Sequence, residues 1–111
     1  MRATEPICEN RLFRRLYRTG KSSVTPLFVL YLRKNGRKIN RLGLTTSKTV
    51  GKAVQRNRSR RVLREAYRLL EPEMNTGFDL ILVARTKTAE VSMNEIKDRL
   101  HAVLIKEGVL K

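Results

Sequence analysis

Two kinds of side chain that build active sites are almost missing from this chain. In 111 residues there is one cysteine, Cys8, and one histidine, His101. A single cysteine allows no internal disulfide and fits a reducing compartment. With one histidine, no zinc cluster can be assembled from side chains. His101 lies beside Leu100 and Leu104 in a helical stretch and reads as a surface or half-buried residue. Aspartate occurs only at Asp79 and Asp98, and Asp79 opens a strand. No Ser/His/Asp or Cys/His set stands out, and nothing resembles a nuclease site built by protein. Apolar runs fall well short of the ~20 residues of a membrane span, and the N-terminus lacks the apolar core of a signal peptide. A membrane partner is therefore disfavoured, and a cytoplasmic location is expected.

Acidic residues are also scarce, 10 against 25 lysines and arginines, for a formal net charge of +15. Charge of that size speaks to partners and association rate rather than to fold. Arginine outnumbers lysine 16 to 9, which favours bidentate phosphate contacts and stacking on bases. The hydrophobic fraction of 41% is ordinary for a globular chain, so this is no disordered basic tail. One domain over residues 1–111 can bury a core.

The charge concentrates in residues 50–68, VGKAVQRNRSRRVLREAYR. Wound at ~100° per residue, Ser59, Val62, Leu63, Ala66, Leu69 and Leu70 form one apolar stripe. Asn57, Arg60, Arg61, Arg64 and Arg68 gather on the opposite side. Such a helix offers one face to a core and a sheet of guanidinium groups to phosphates. The plain alternative is a solvated basic face. Against it, compensating acids at i±4 are nearly absent, and like charges at that spacing repel.

The rest of the chain supplies a scaffold. Asn10 is a plausible N-cap, Leu12 to Arg18 a short helix, and Gly20 its stop. Leu27 to Arg33 is an apolar run of strand length. Asn35-Gly36 is a hairpin signal, with Asn40 to Thr46 as the returning strand. Pro72 ends the basic helix, 75–77 is a turn, and Phe78 to Ala84 is a buried strand. Ser92 to Glu95 is a capping box opening a last helix that closes near Gly108. The segment around Ile7 is available for a further short strand or extended edge. The fold class is α+β, a small mixed sheet sandwiched with helices in the order α-β-β-(β)-α-β-α. The strands flanking the basic helix are expected to be parallel neighbours, and the general rule would make their crossover right-handed.

These residues carry a resemblance. FRRLY at 13–17, FVLY at 28–31, RLGLTTSKTVGKAVQRNRSRRVLREAYR at 41–68 and DLILVAR at 79–85 resemble the protein subunit of bacterial ribonuclease P over nearly the whole chain. The resemblance implies a ribosomal protein S5 domain 2-like fold whose crossover is left-handed, against the general rule. It also implies a division of labour. A large RNA with bound magnesium removes the 5′ leader from precursor tRNA. The protein, one per RNA, binds the ribonuclease P RNA and the precursor and supplies no catalytic group. By position, Lys52, Arg56, Asn57, Arg58, Arg60, Arg61, Arg64 and Arg68 would meet the catalytic RNA. Phe13, Tyr17 and Tyr31 would line a cleft for the single-stranded leader, with Ser47, Lys48 and Arg85 nearby. Arg60 stands where the family often has lysine, and Tyr17 where it often has phenylalanine; charge and ring are kept.

Spacing alone permits plainer readings. Phe13 and Tyr17 at i,i+4 would usually be core. Phe28 shares a strand face with Leu30 and reads as core, whereas Tyr31 lies on the opposite face. Arg85 follows a strand end and could be a solvated terminus. The competing function is a ribosomal-type protein that stabilises folded RNA, which needs no aromatic cleft.

Overall fold

The computed structural model describes residues 3–110. Its elements are β1 (Thr4–Pro6), α1 (Asn10–Thr19), β2 (Lys21–Val24), β3 (Phe28–Lys34), β4 (Asn40–Thr46), α2 (Ala53–Leu70), β5 (Phe78–Ala84) and α3 (Met93–Lys106). Single 3₁₀ turns cover Glu71–Glu73 and Thr86–Ala89. The strand with the least polar sequence decides the rest. In β5, FDLILVA, six of seven residues are buried, so both of its faces need cover and both of its edges need partners. It pairs with β3 antiparallel and β4 parallel, giving a five-stranded sheet in the order β1-β4-β5-β3-β2. The α+β class, the mixed sheet and the parallel strands joined by the basic helix are as expected.

One expectation fails here. Asn35-Gly36 does not close a hairpin, because β5 lies between β3 and β4. The segment does turn, with Gly36 at φ 70°, but it passes across the start of β5 instead of pairing its flanks. The Asn35 backbone amide donates to the Gly77 carbonyl at 2.9 Å. Its side-chain amide donates to the Ile39 carbonyl at 3.0 Å and to Asp79 at 2.9 Å. Local turn chemistry was right; the pairing was overridden by the apolar demand of a strand that comes later in the chain.

Register builds two unlike faces. On one face, Leu30, Leu82 and Leu44 line up across three strands, as do Leu32, Leu80 and Leu42. Leu63, Ala66, Tyr67 and Leu70 of α2 close over them with Ile96, Leu100 and Leu104 of α3. On the other face the rows are Tyr31–Ile81–Gly43 and Val29–Val83–Thr45. The ten residues of α1 lie across it, through Leu16 with Leu12 and Phe13 alongside and Ile7 beside them, and much of it stays open.

Several boundaries differ in detail. Glu9, not Asn10, is the N-cap of α1, with no side-chain capping bond. Gly20 ends α1 in extended backbone, and a Cβ there would sit 2.6 Å from the Leu16 carbonyl oxygen. The chain therefore runs straight into β2, whose sequence KSSV has no apolar alternation to announce it. β1 falls just before Ile7. In α2, Leu69 is 42% exposed while Tyr67 is fully buried. The two stand on opposite shoulders of the Ser59–Leu63–Ala66–Leu70 stripe. The helix is rolled toward Tyr67, whose hydroxyl bonds Thr4 of β1 at 2.9 Å. Burial pushes the Tyr67 phenol up to about 12, so it stays protonated.

The α1 face also holds a buried ion pair. Asp79 is 1% exposed. Arg41 donates to both of its oxygens, each at 2.7 Å. Burial alone would raise the Asp79 carboxyl. The hydrogen bonds from Arg41 and Asn35, with the charges of Arg41 and Arg33, outweigh it and hold the group below the usual carboxylate range. A depressed carboxylate contributes stability that is present above its unfolded pKa and lost as pH falls through the folded value. Arg41→Ala, which strands this charge, is expected to cost about 3–5 kcal/mol near neutral pH. Urea unfolding should show that cost shrinking as pH falls through the carboxylate range and Asp79 protonates. A cost independent of pH would contradict the assignment.

Candidate nucleic-acid interface

The basic face of α2 is built with almost no internal neutralisation. Lys52 is the N-cap and makes no side-chain capping bond. Arg58, Arg61, Arg64 and Arg68 are exposed, and so is Asn57. Arg56 is half-buried and donates to the Gly51 carbonyl at 2.9 Å. Arg60 is half-buried and donates to the Asn57 side-chain oxygen at 2.6 Å. Among the described residues the helix has one ion pair, Arg68 with Glu65. The hydrogen bond from Arg68 lowers the Glu65 carboxyl, and the same bond raises Arg68. Arg60 and Arg64 also border a groove of about 530 Å³ against Thr4, Pro6 and Leu42. All eight residues expected here occupy one helix and its N-terminal turn. Arginine's fork leaves each of the six arginines donors for phosphate beyond the contacts already made.

On the other face of the sheet the aromatic residues do come together. Tyr17 meets Tyr31 edge-on, with centroids 4.9 Å apart and planes at 79°. Phe13 lies 6.3 Å from Tyr17. Neither α1 ring is core: Phe13 is half-buried and Tyr17 is 42% exposed. With Asn10, Arg14 and Thr45 these two rings line a hollow of about 370 Å³. Burial, and then the neighbouring Tyr31, raise the Tyr17 phenol, so it remains a hydrogen-bond donor. Phe28, as expected, is fully buried on the opposite face.

Ser47, Lys48 and Arg85 sit where β4 and β5 run out, at the same end as Thr45 and Val83. Lys48 is exposed. The Ser47 hydroxyl is engaged locally, 2.6 Å from that of Thr49 and 3.1 Å from the Thr49 amide. Arg85 gives one donor to the Thr25 carbonyl at 2.8 Å and keeps others. It is a tether between β5 and the β2–β3 turn as well as a cation.

The sequence reading did not single out Gly43. A Cβ at this position would lie 2.6 Å from Cζ of Phe13 and 2.9 Å from Cε1. The ring rests on bare backbone in the middle of a sheet. The available signal was a glycine inside an otherwise alternating strand, which often marks close approach of another group. Among the described residues no group of three His, Cys, Asp or Glu could hold a metal ion, and no helix is long and apolar enough to cross a membrane.

A sequence model of the Ribonuclease P family matches residues 1–107. The chain belongs to the ribonuclease P protein family. The ribonuclease P protein component of Clostridium botulinum (strain Loch Maree) is 44% identical over 93% of this chain and 94% of the relative. That of Thermoanaerobacter sp. (strain X514) is 42% identical over 85% and 81%. The ribonuclease P protein of Staphylococcus aureus superposes with a TM-score of 0.82 at 31% identity, covering 96% of this chain and 97% of the other. The Thermotoga maritima protein gives 0.81 at 31% identity, covering 92% and 96%. Membership of this family places the chain in tRNA processing, as the partner of a ribonuclease P RNA.

Gly43→Ala is expected to push Phe13 off its seat and cost about 1–3 kcal/mol as an overpacking change. Urea unfolding measures the cost, and loss of ring contacts between Phe13 and Ile81 in NMR spectra locates it. An alanine variant as stable as the parent would contradict this packing.

Proposed function

We propose that the chain is the non-catalytic protein of a one-protein, one-RNA ribonuclease P holoenzyme in the cytoplasm. The arginine face of α2, with Lys52 at its start, binds the catalytic RNA. The cleft of Phe13, Tyr17 and Tyr31 holds the 5′ leader of precursor tRNA as a single strand, and Ser47, Lys48 and Arg85 continue its path at the strand ends. Hydrolysis at the leader junction belongs to the RNA, and magnesium bound there supplies orientation and activation of the attacking water. The protein's own work is positioning and charge neutralisation. Fixed guanidinium groups replace counterions that crowded phosphates would otherwise gather, which lowers the magnesium needed for assembly.

The observation that carries this reading is the placement of two unlike surfaces on opposite faces of one sheet. A binder of folded RNA needs the cations but has no use for stacked rings half-open to solvent. Aromatic stacking is tolerant of base identity and worth about 1–3 kcal/mol per base, which suits leaders of many sequences.

The direct test is the affinity of the reconstituted holoenzyme for precursor tRNA with and without its leader. Preference for the leader-bearing form supports the proposal, and indifference favours a structural RNA binder. Tyr31→Ala should raise the dissociation constant for the precursor by roughly 5- to 100-fold and leave mature tRNA unchanged. Equal effects on both would place Tyr31 in the core or the RNA-subunit interface. Arg64→Ala should lower the log–log salt slope of catalytic-RNA binding by about 0.7–0.9. A slope that does not move would exclude a phosphate contact by Arg64.

A further inference from the structure

α1 carries four arginines. Arg11, Arg14, Arg15 and Arg18 stand at i, i+3, i+4 and i+7, so they form one stripe along the helix. All four are exposed. Arg11 pairs at 3.3 Å with Glu9, itself exposed; among the described residues no ion pair involves the other three. With Leu12 they surround a hollow of about 700 Å³. Four like charges at these spacings repel, and only Arg18, in the last turn, has the helix dipole to favour it.

The stripe is also in register with the cleft. Phe13 and Tyr17 are one turn apart, and so are Arg14 and Arg18, each pair rising about 6 Å. The arginine pair is turned from the ring pair by about 100°. Arg14 borders both the aromatic hollow and the arginine hollow. Two ladders therefore run side by side at one pitch, rings inward and guanidinium groups at the lip. That pitch is on the scale of successive phosphates in an extended strand.

We propose that Arg14 and Arg18 bind consecutive leader phosphates whose bases turn inward toward Phe13 and Tyr17. This rests on the assignment of the cleft to the leader and adds the groups that fix the strand's direction and register within it. The alternative source of phosphate is the catalytic RNA. It is disfavoured because α1 and the arginine face of α2 lie on opposite faces of the sheet, whereas Arg14 shares a hollow with the rings.

The test uses the holoenzyme carrying Arg14→Gln and Arg18→Gln together. Three ligands are compared across a salt series: precursor tRNA, mature tRNA, and precursor whose leader has neutral methylphosphonate linkages. For ordinary precursor the salt slope should fall by about 1.4, at roughly 0.7 per contact to a single strand. Mature tRNA and the methylphosphonate precursor should bind parent and variant alike, and affinity for the catalytic RNA should not change. An unaltered slope with ordinary precursor overturns the proposal while leaving the cleft assignment standing. Equal loss on mature tRNA or on the neutral leader also overturns it, placing the arginines on another part of the RNA. If the parent holoenzyme itself ignores the leader, the cleft assignment falls and this inference falls with it. Thermal melting of the variant, expected to match the parent because both side chains are exposed, confirms that folding is intact.

Discussion

The insertion of β5 between β3 and β4 is the constraint on which the rest depends. It brings leucines from three strands into rows on one face, which α2 and α3 close. It also brings Tyr31, Ile81 and Gly43 into one row on the other, which α1 only partly covers. A single pairing thus makes a sealed core and an open aromatic floor from the same strands. At the start of β5, Asp79 is gripped by Arg41 from β4 and Asn35 from the end of β3, so the ion pair ties both neighbours to the central strand. Tyr67 and Asn40 make similar ties at the edge. The Asn40 side chain accepts from the Phe78 amide at 2.9 Å and donates to the Asn75 carbonyl at 3.1 Å.

Electrostatics then act on a fixed frame. The excess of 15 positive charges is not spread evenly: α1 and α2 each carry a solvent-facing arginine stripe, on opposite faces of the sheet. Self-repulsion of this kind lowers the stability of the compact state, and bound phosphates relieve it. Two of the few acids serve structure: Asp79 is held by Arg41, and Glu107 joins the end of α3 to Lys21 and Ser23 of β2. The positive field is thus left for partners.

Much of this was legible in the sequence because the signals were periodic. The α2 faces, the β5 run and the Ser92 cap follow from spacing; the Ser92 hydroxyl accepts from the Glu95 amide at 3.2 Å. What escaped was set by contacts distant in sequence. Asn35-Gly36 has the chemistry of a hairpin, yet the partner of β3 lies more than forty positions on. β2 is three polar residues and an exposed valine, and its extended form depends on β3. Tyr67 displaced Leu69 from the core because its hydroxyl finds Thr4, a residue 63 positions away. Gly43 was not singled out, because its role depends on Phe13 being laid upon it. The residue-by-residue roles proposed for the interface rest on family resemblance; composition and spacing alone reach a helix built to meet phosphates and stop there.

The most direct measurement is 5′-leader cleavage at low magnesium by a bacterial ribonuclease P RNA alone, by this protein alone, and by the two together. The account predicts no cleavage by the protein, slow cleavage by the RNA, and strong stimulation when both are present. Cleavage by the protein alone would contradict it, as would the absence of stimulation by a folded protein that binds the RNA.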